Sequence, residues 1–204
     1  MRTYRVNEIF YSLQGEGRHT GRAAVFIRFA GCNLHCSFCD TEFNAYREMN
    51  TDEILSAVAD CAGNTAQKPM VVLTGGEPTL QVDETFIECL HAQGYEVAME
   101  SNGTHTAPKN LDWLTVSPKE DAHWLVPPEG KTPDEIKIVF SETTHPESIL
   151  AMIPHFGSPQ LYLQPCDTGD AERNKTIMQA CVAYIKAHPQ WRLSLQTHKL
   201  IGIE

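Results

Sequence analysis

Three cysteines stand in one short stretch, Gly31-Cys32-Asn33-Leu34-His35-Cys36-Ser37-Phe38-Cys39-Asp40-Thr41, with three residues between the first pair and two between the second. Thiolates are the usual ligands of iron-sulfur centres, and three of them can hold three corners of a 4Fe-4S cluster while the fourth iron stays open to an outside ligand. An open position on a bound metal is a position for chemistry, whereas structural metal sites are closed. Zinc is the competing occupant. It asks for four protein ligands, however; no fourth cysteine lies near, and His35, adjacent to Cys36, reaches the same ion only awkwardly. Cys61, Cys89 and Cys181 sit in apolar-periodic stretches and read as small buried hydrophobes.

The cysteine spacing, with an aromatic residue just before the last cysteine, resembles the signature of the radical S-adenosylmethionine (SAM) superfamily. The resemblance implies that Cys32, Cys36 and Cys39 bind the cluster, that the open iron chelates SAM, and that one electron passed to the sulfonium yields methionine and a 5'-deoxyadenosyl radical. Phe38 would pack near the adenine. Thr74-Gly75-Gly76-Glu77-Pro78, after the apolar run Met70-Val71-Val72-Leu73, resembles the glycine-rich strand end of the same superfamily. Two glycines let a backbone approach a ligand closely, and Glu77 offers an acceptor for the SAM ammonium. Ser101 is a further cofactor contact on this reading, and Ser117, Pro118, Lys119 and Gln164 would supply ribose and carboxylate contacts, ordinary loop polarity being the alternative for these.

Glu8-Ile9-Phe10-Tyr11-Ser12-Leu13-Gln14-Gly15-Glu16-Gly17, Cys39-Asp40-Thr41, Ser117-Pro118-Lys119 and Leu195-Gln196-Thr197-His198-Lys199 together resemble the 7-carboxy-7-deazaguanine synthase family, over nearly the whole chain. The resemblance implies conversion of 6-carboxy-5,6,7,8-tetrahydropterin to 7-carboxy-7-deazaguanine and ammonia by radical ring contraction, with SAM regenerated. It assigns Leu13, Gln14 and Gly15 to a substrate-contacting turn, Arg28 to the substrate carboxylate, Thr74 to the pterin and Gly75 and Gly76 to the cofactor. A guanidinium can grip a carboxylate by two parallel hydrogen bonds, which suits Arg28. Thr41 matches a magnesium ligand; a lone hydroxyl is a poor Mg2+ site, so substrate oxygens and water would complete the coordination. His198 is either a proton shuttle or a cap on the last strand. A glycyl-radical activating enzyme and a non-catalytic metal-binding module are the alternatives; neither explains the Gln14-Gly15-Glu16-Gly17 turn.

The elements that must position these residues follow from periodicity. Apolar runs predict strands at Ala23 to Ala30, Met70 to Thr74, Tyr95 to Ser101, Leu114 to Ser117, Ile136 to Phe140, Leu161 to Gln164 and Trp191 to Leu195. Helices are expected from Asn50, with Asn50-Thr51-Asp52-Glu53 as a capped start, from Asp83 to Gln93, from Pro146 to His155 and from Ala171 to His188. The alternation predicts an α/β fold, a shortened, open, TIM-like partial barrel of about six parallel strands with three or four crossover helices, forming a single domain over residues 1–204. Such architectures place ligands at the C-terminal strand ends, where five of the polar motifs fall.

At 204 residues and 42% hydrophobic, the chain can bury one sizeable core. No apolar stretch is long enough for a bilayer and no leader is read at the N-terminus, so a cytoplasmic location away from membranes is expected. A net charge of −10 argues against a nucleic-acid partner. The first 50 residues carry a balance of +1 against −11 for the rest, so an acidic electron donor such as a flavodoxin could dock at the cysteine-bearing end. The family resemblance implies a homodimer.

Overall fold

The computed structural model describes residues 2–37, 39, 45–119, 130–153 and 157–203. Phe38 and Thr41 therefore lie outside the described residues. Nine strands form one sheet: β1 (Thr3–Leu13), β2 (Ala23–Phe29), β3 (Arg47–Asn50), β4 (Met70–Gly75), β5 (Val97–Ser101), β6 (Trp113–Val116), β7 (Glu135–Phe140), β8 (Gln160–Pro165) and β9 (Trp191–Leu193), in the order β3-β1-β2-β4-β5-β6-β7-β8-β9. From β2 through β9 every pairing is parallel, so seven strands run in parallel where about six were expected. β1 pairs antiparallel with both β2 and β3.

Each predicted helix forms. α1 (Thr51–Ala62) starts with a capping box: the Asn50 side chain accepts from the Glu53 N–H, and the Glu53 carboxylate accepts from the Asn50 N–H. Both orphan donors are thereby satisfied, a device worth about 1 kcal/mol. α2 (Glu84–Ala92) is capped by Asp83, and Gly94 follows its end at φ +83°. α3 (Pro146–Met152) is shorter than expected, Ile153 already being extended. α4 (Ala171–Ala187) is capped by Asp170. A fifth helix, α5 (Thr197–Ile201), follows β9. Among the described residues the connections β5–β6 and β6–β7 contain no helix.

Strand alternation divides the sheet into two faces. Val25, Ile27 and Phe29 of β2, Val71 and Leu73 of β4, and Val97 and Met99 of β5 pack with Ile54 and Val58 of α1 and Phe86, Ile87 and Leu90 of α2. Ile136, Ile138, Leu163 and Trp191 pack with Ile149 of α3 and Ile177 of α4. Each such fully buried aliphatic or aromatic side chain contributes about 1.5–3 kcal/mol. Cys181 belongs to this second core, and burial pushes its thiol up to about 12; Cys61 and Cys89 are only partly buried. The opposite face is apolar at its N-terminal end, with Ala24, Met70, Val72 and Ala98. Two or four residues further along the same strands stand Arg28, Thr74 and Glu100, and β7 and β8 add Lys137 and Gln164. A sheet lined by apolar side chains on both faces thus carries these polar side chains toward the C-terminal ends of its strands, with Lys137 reaching in from the middle of β7.

Candidate active site

Those polar ends line a cavity of about 570 Å³. The three thiols of Cys32, Cys36 and Cys39 form part of its wall, together with Leu13, Gln14, Gly15, Arg28, Thr74, Gly75, Gly76, Ser101, Ser117, Lys119 and Gln164. Most of the sequence-predicted site residues are thus brought to one place. Glu77 and Pro118 do not line the cavity among the described residues.

The cysteine loop is held by the end of β4. Gly76 N–H donates to the Phe29 carbonyl and Glu77 N–H to the Gly31 carbonyl, both at 2.9 Å. A Cβ on Gly76 would stand 1.9 Å from the Gly31 carbonyl oxygen, and one on Gly75, whose φ is +121°, 2.2 Å from that of Phe29. The paired glycines therefore allow strand and loop to touch backbone to backbone. Three thiols on a loop docked this way fit a cluster bound at the cavity wall. No three His, Cys, Asp or Glu side chains among the described residues gather closely enough for a single metal ion, and a cuboidal centre asks instead for thiols at separate corners.

Glu77 has a different place from the one expected. It is fully buried, and its carboxylate accepts from Thr79 N–H at 3.1 Å, the Thr79 hydroxyl at 2.5 Å, the Ser101 hydroxyl at 2.9 Å and Asn102 N–H at 2.7 Å. Buried and so engaged, this carboxylate ties the end of β5 to the turn after β4. Gln164 is likewise engaged, its Nε2 donating to Glu16 at 3.0 Å and its Oε1 accepting from the Ser194 hydroxyl at 2.9 Å. It supports Glu16 and also lines the cavity. Lys119 donates to the Ser117 hydroxyl at 2.6 Å, and burial pushes its ammonium below the usual lysine range.

Arg28 lies on β2 with its Nε donating to Glu8 at 2.6 Å and its guanidinium 5.7 Å from the centre of the Phe10 ring, which stacks on Phe26 at 5.0 Å. Holding Arg28 through Nε directs the two terminal nitrogens outward as a fork.

The cavity is also lined by Glu16, Glu100, Lys137, Gln196 and His198; of these the sequence singled out His198 without settling its role, and it did not reveal that Lys137 joins Glu16 and Glu100. Lys137, 3% exposed, donates to Glu100 at 2.7 Å and to Glu16. Gln14 Nε2 donates to the other oxygen of Glu100 at 2.9 Å, and Gln164 and Gln196 both donate to Glu16 at 3.0 Å. Burial would lower the Lys137 ammonium, but Glu100 and Glu16 outweigh it and hold the pKa above the ordinary value. Burial would raise the Glu16 carboxyl, and the Lys137 charge instead holds it low. One signal was available: a lysine inside Ile136-Lys137-Ile138 and a glutamate closing Val97-Ala98-Met99-Glu100 are charges in apolar strands, and burying a charge requires a partner.

α5 closes this side of the cavity. Thr197 donates to the Gly15 carbonyl through both N–H and hydroxyl at 3.0 Å, and the space beside Gly15 where a Cβ would stand is filled by the His198 ring, 2.1 Å away.

The family model of the Radical SAM superfamily matches residues 26–119. Two proteins bearing the name 7-carboxy-7-deazaguanine synthase are similar over almost their full length. The one from Bacteroides thetaiotaomicron is 45% identical over 98% of both chains. The one from Caulobacter vibrioides is 44% identical over 98% of this chain and 99% of its own. The crystal structure of QueE from Escherichia coli superposes with a TM-score of 0.76 at 28% identity, covering 95% of this chain and 93% of that one.

Proposed function

Since the chain belongs to the 7-carboxy-7-deazaguanine synthase family of the radical SAM superfamily, we propose that it converts 6-carboxy-5,6,7,8-tetrahydropterin to 7-carboxy-7-deazaguanine and ammonia, as a radical SAM lyase of the queuosine and 7-deazapurine pathway. The observation that carries this reading is one cavity lined both by the three thiols and by Arg28 with the Glu16–Lys137–Glu100 set.

Cys32, Cys36 and Cys39 would hold the 4Fe-4S cluster. When bound, that cluster supplies the electron that splits SAM and so starts radical chemistry. Gly75 and Gly76, by docking the cysteine loop against the end of β4, border the space proposed for SAM, and Ser101, Ser117 and Lys119 line the same cavity. Arg28, steadied by Glu8, offers its fork to the substrate carboxylate. Glu16 and Glu100, both joined to Lys137, are acceptors suited to the N–H groups of an aminopyrimidinone ring, with Leu13, Gln14, Gly15 and Thr74 framing it. Phe10, Phe26 and Val139 supply apolar wall that excludes water from a reactive intermediate. Mg2+ belongs to the reading as an ion that binds with the substrate near Thr41.

The parallel run is read as a shortened, open barrel of one catalytic domain. Residues on β1, β2, β4, β5, β7 and β8 sharing one cavity support that curvature. A homodimer, a cytoplasmic location and a flavodoxin-type donor complete the proposal; the exposed Arg5, whose carbonyl accepts from Ala30 N–H at the entry to the cysteine loop, suits an acidic donor. The test is anaerobic: iron and sulfide are reconstituted, then reductant, SAM, Mg2+ and the carboxytetrahydropterin are added. A deazapurine product is expected, and its absence from a fully loaded enzyme would remove the reading.

A further inference from the structure

Among the described residues the side chain of Asn102 is aimed at Cys32 Sγ. Asn102 follows β5 and is 8% exposed. Its Nδ2 lies 3.9 Å from Cys32 Sγ and 3.0 Å from Asn33 Oδ1, as donor to both. Its Oδ1 accepts from Thr104 N–H at 3.0 Å and from the Thr104 hydroxyl at 2.6 Å. Asn33, inside the cysteine loop, returns a hydrogen bond from its Nδ2 to Thr104 Oγ1 at 2.8 Å. The Asn102 backbone is pinned as well, its N–H donating to the fully buried Glu77 carboxylate. This amide cannot turn without breaking several bonds, and the amide orientation is fixed by chemistry: Oδ1 faces two donors, so Nδ2 faces sulfur. Cys32 Sγ also accepts from Leu34 N–H at 3.4 Å, a contact any loop of this shape would supply. The Asn102 contact comes from a different strand end and is built by its own network.

We propose that Asn102 is a positioning residue that sets the reduction potential of the cluster, with Glu77, Thr104 and Asn33 as its supports. The inference rests on the cluster-binding reading above. A donor directed at a ligating thiolate stabilises the more negatively charged, reduced state more than the oxidised one, so it moves the midpoint potential upward. It follows that Glu77, the acidic residue of the glycine-rich motif, acts at the metal end of the site through Asn102.

The experiment is an anaerobic redox titration followed by electron paramagnetic resonance, on wild type, Asn102→Leu and Thr104→Val, each with iron and sulfide content measured. Asn102→Leu, close in shape but without a donor, should have a more negative midpoint at equal cluster content. Thr104→Val, which keeps the amide but loosens it, should shift the same way by less. Equal midpoints for wild type and Asn102→Leu would overturn the proposal. If the variants take up no cluster, pulsed resonance on reduced wild type labelled with 15N at asparagine Nδ2 decides the matter: a hyperfine coupling supports the contact and its absence overturns it. Wild type that takes up no iron or sulfide would remove the functional reading and this inference together, whereas a loaded cluster indifferent to residue 102 removes the inference alone.

Discussion

Two charged side chains carry most of what the cavity can do to a substrate, and they are held in different ways. Arg28 keeps its fork because Glu8 takes only Nε. Lysine cannot reproduce two parallel bonds, so Arg28→Lys should raise KM for the carboxytetrahydropterin by roughly tenfold or more, the loss of about 1.5–3 kcal/mol from a charge-assisted pair. Reductive cleavage of SAM without substrate should be unchanged, and the two assays separate a binding defect from a damaged cluster. Lys137 is a structural charge as well as a functional one. Replacing it by Met leaves Glu16 and Glu100 facing each other in a buried site, and breaking a buried ion pair from one side costs about 3–5 kcal/mol. Urea unfolding should show a loss of that order, and Glu100→Gln added to Lys137→Met should recover part of it by removing the stranded charge.

At the scale of elements, the cysteine loop depends on the end of β4. Gly76→Ala would drive a methyl into the Gly31 carbonyl, an overpacking cost of about 1–3 kcal/mol that falls on the loop rather than on the core. Iron and sulfide uptake should drop while far-ultraviolet circular dichroism stays native. β7 is joined to the turn after β1 by Glu135, whose carboxylate accepts from Arg18 N–H at 2.9 Å. Burial pushes this carboxyl up to about 6 from an ordinary 4.5, against the pull of Arg18 N–H and Lys137. The folded state therefore binds the proton more tightly than the unfolded one. The resulting stability is fully present below pH 4.5 and is lost as the pH rises through 6, an effect of about 2 kcal/mol. Glu135→Gln should remove that dependence, so its stability relative to wild type should improve by about this amount between pH 4.5 and 7.5, read from urea unfolding at both.

For the whole molecule, the first and last segments of the chain meet over the cavity: Gly15 and Glu16 are fastened to Gln196 and Thr197 across some 180 positions. Deleting residues 197–204 should raise KM for the pterin and leave substrate-free SAM cleavage intact, measured on the loaded enzyme. That meeting marks the limit of what the amino-acid order conveys on its own. The seven parallel strands and α1 to α4 were legible because each is a local pattern, an apolar run or a capped helical period that its own residues enforce. The cysteine triplet was legible for the same reason, since ligands spaced within one loop advertise their geometry. β3 was not, because Arg47–Asn50 buries little beyond Met49 and exists through its pairing with β1; α5, with no buried residue, was missed likewise. Lys137 and Glu100, set in apolar strands, announce burial but not each other, since Lys137 stands 37 positions from Glu100 and 121 from Glu16. The sequence by itself determined the seven parallel strands, four of the helices and the cysteine triplet, whereas only the tertiary structure decided that β1 and β3 flank the parallel run, that Glu77 is buried behind the cavity, and that a buried lysine joins two carboxylates. A charge inside an apolar strand states that it needs a partner, and only the closing of the sheet supplies one.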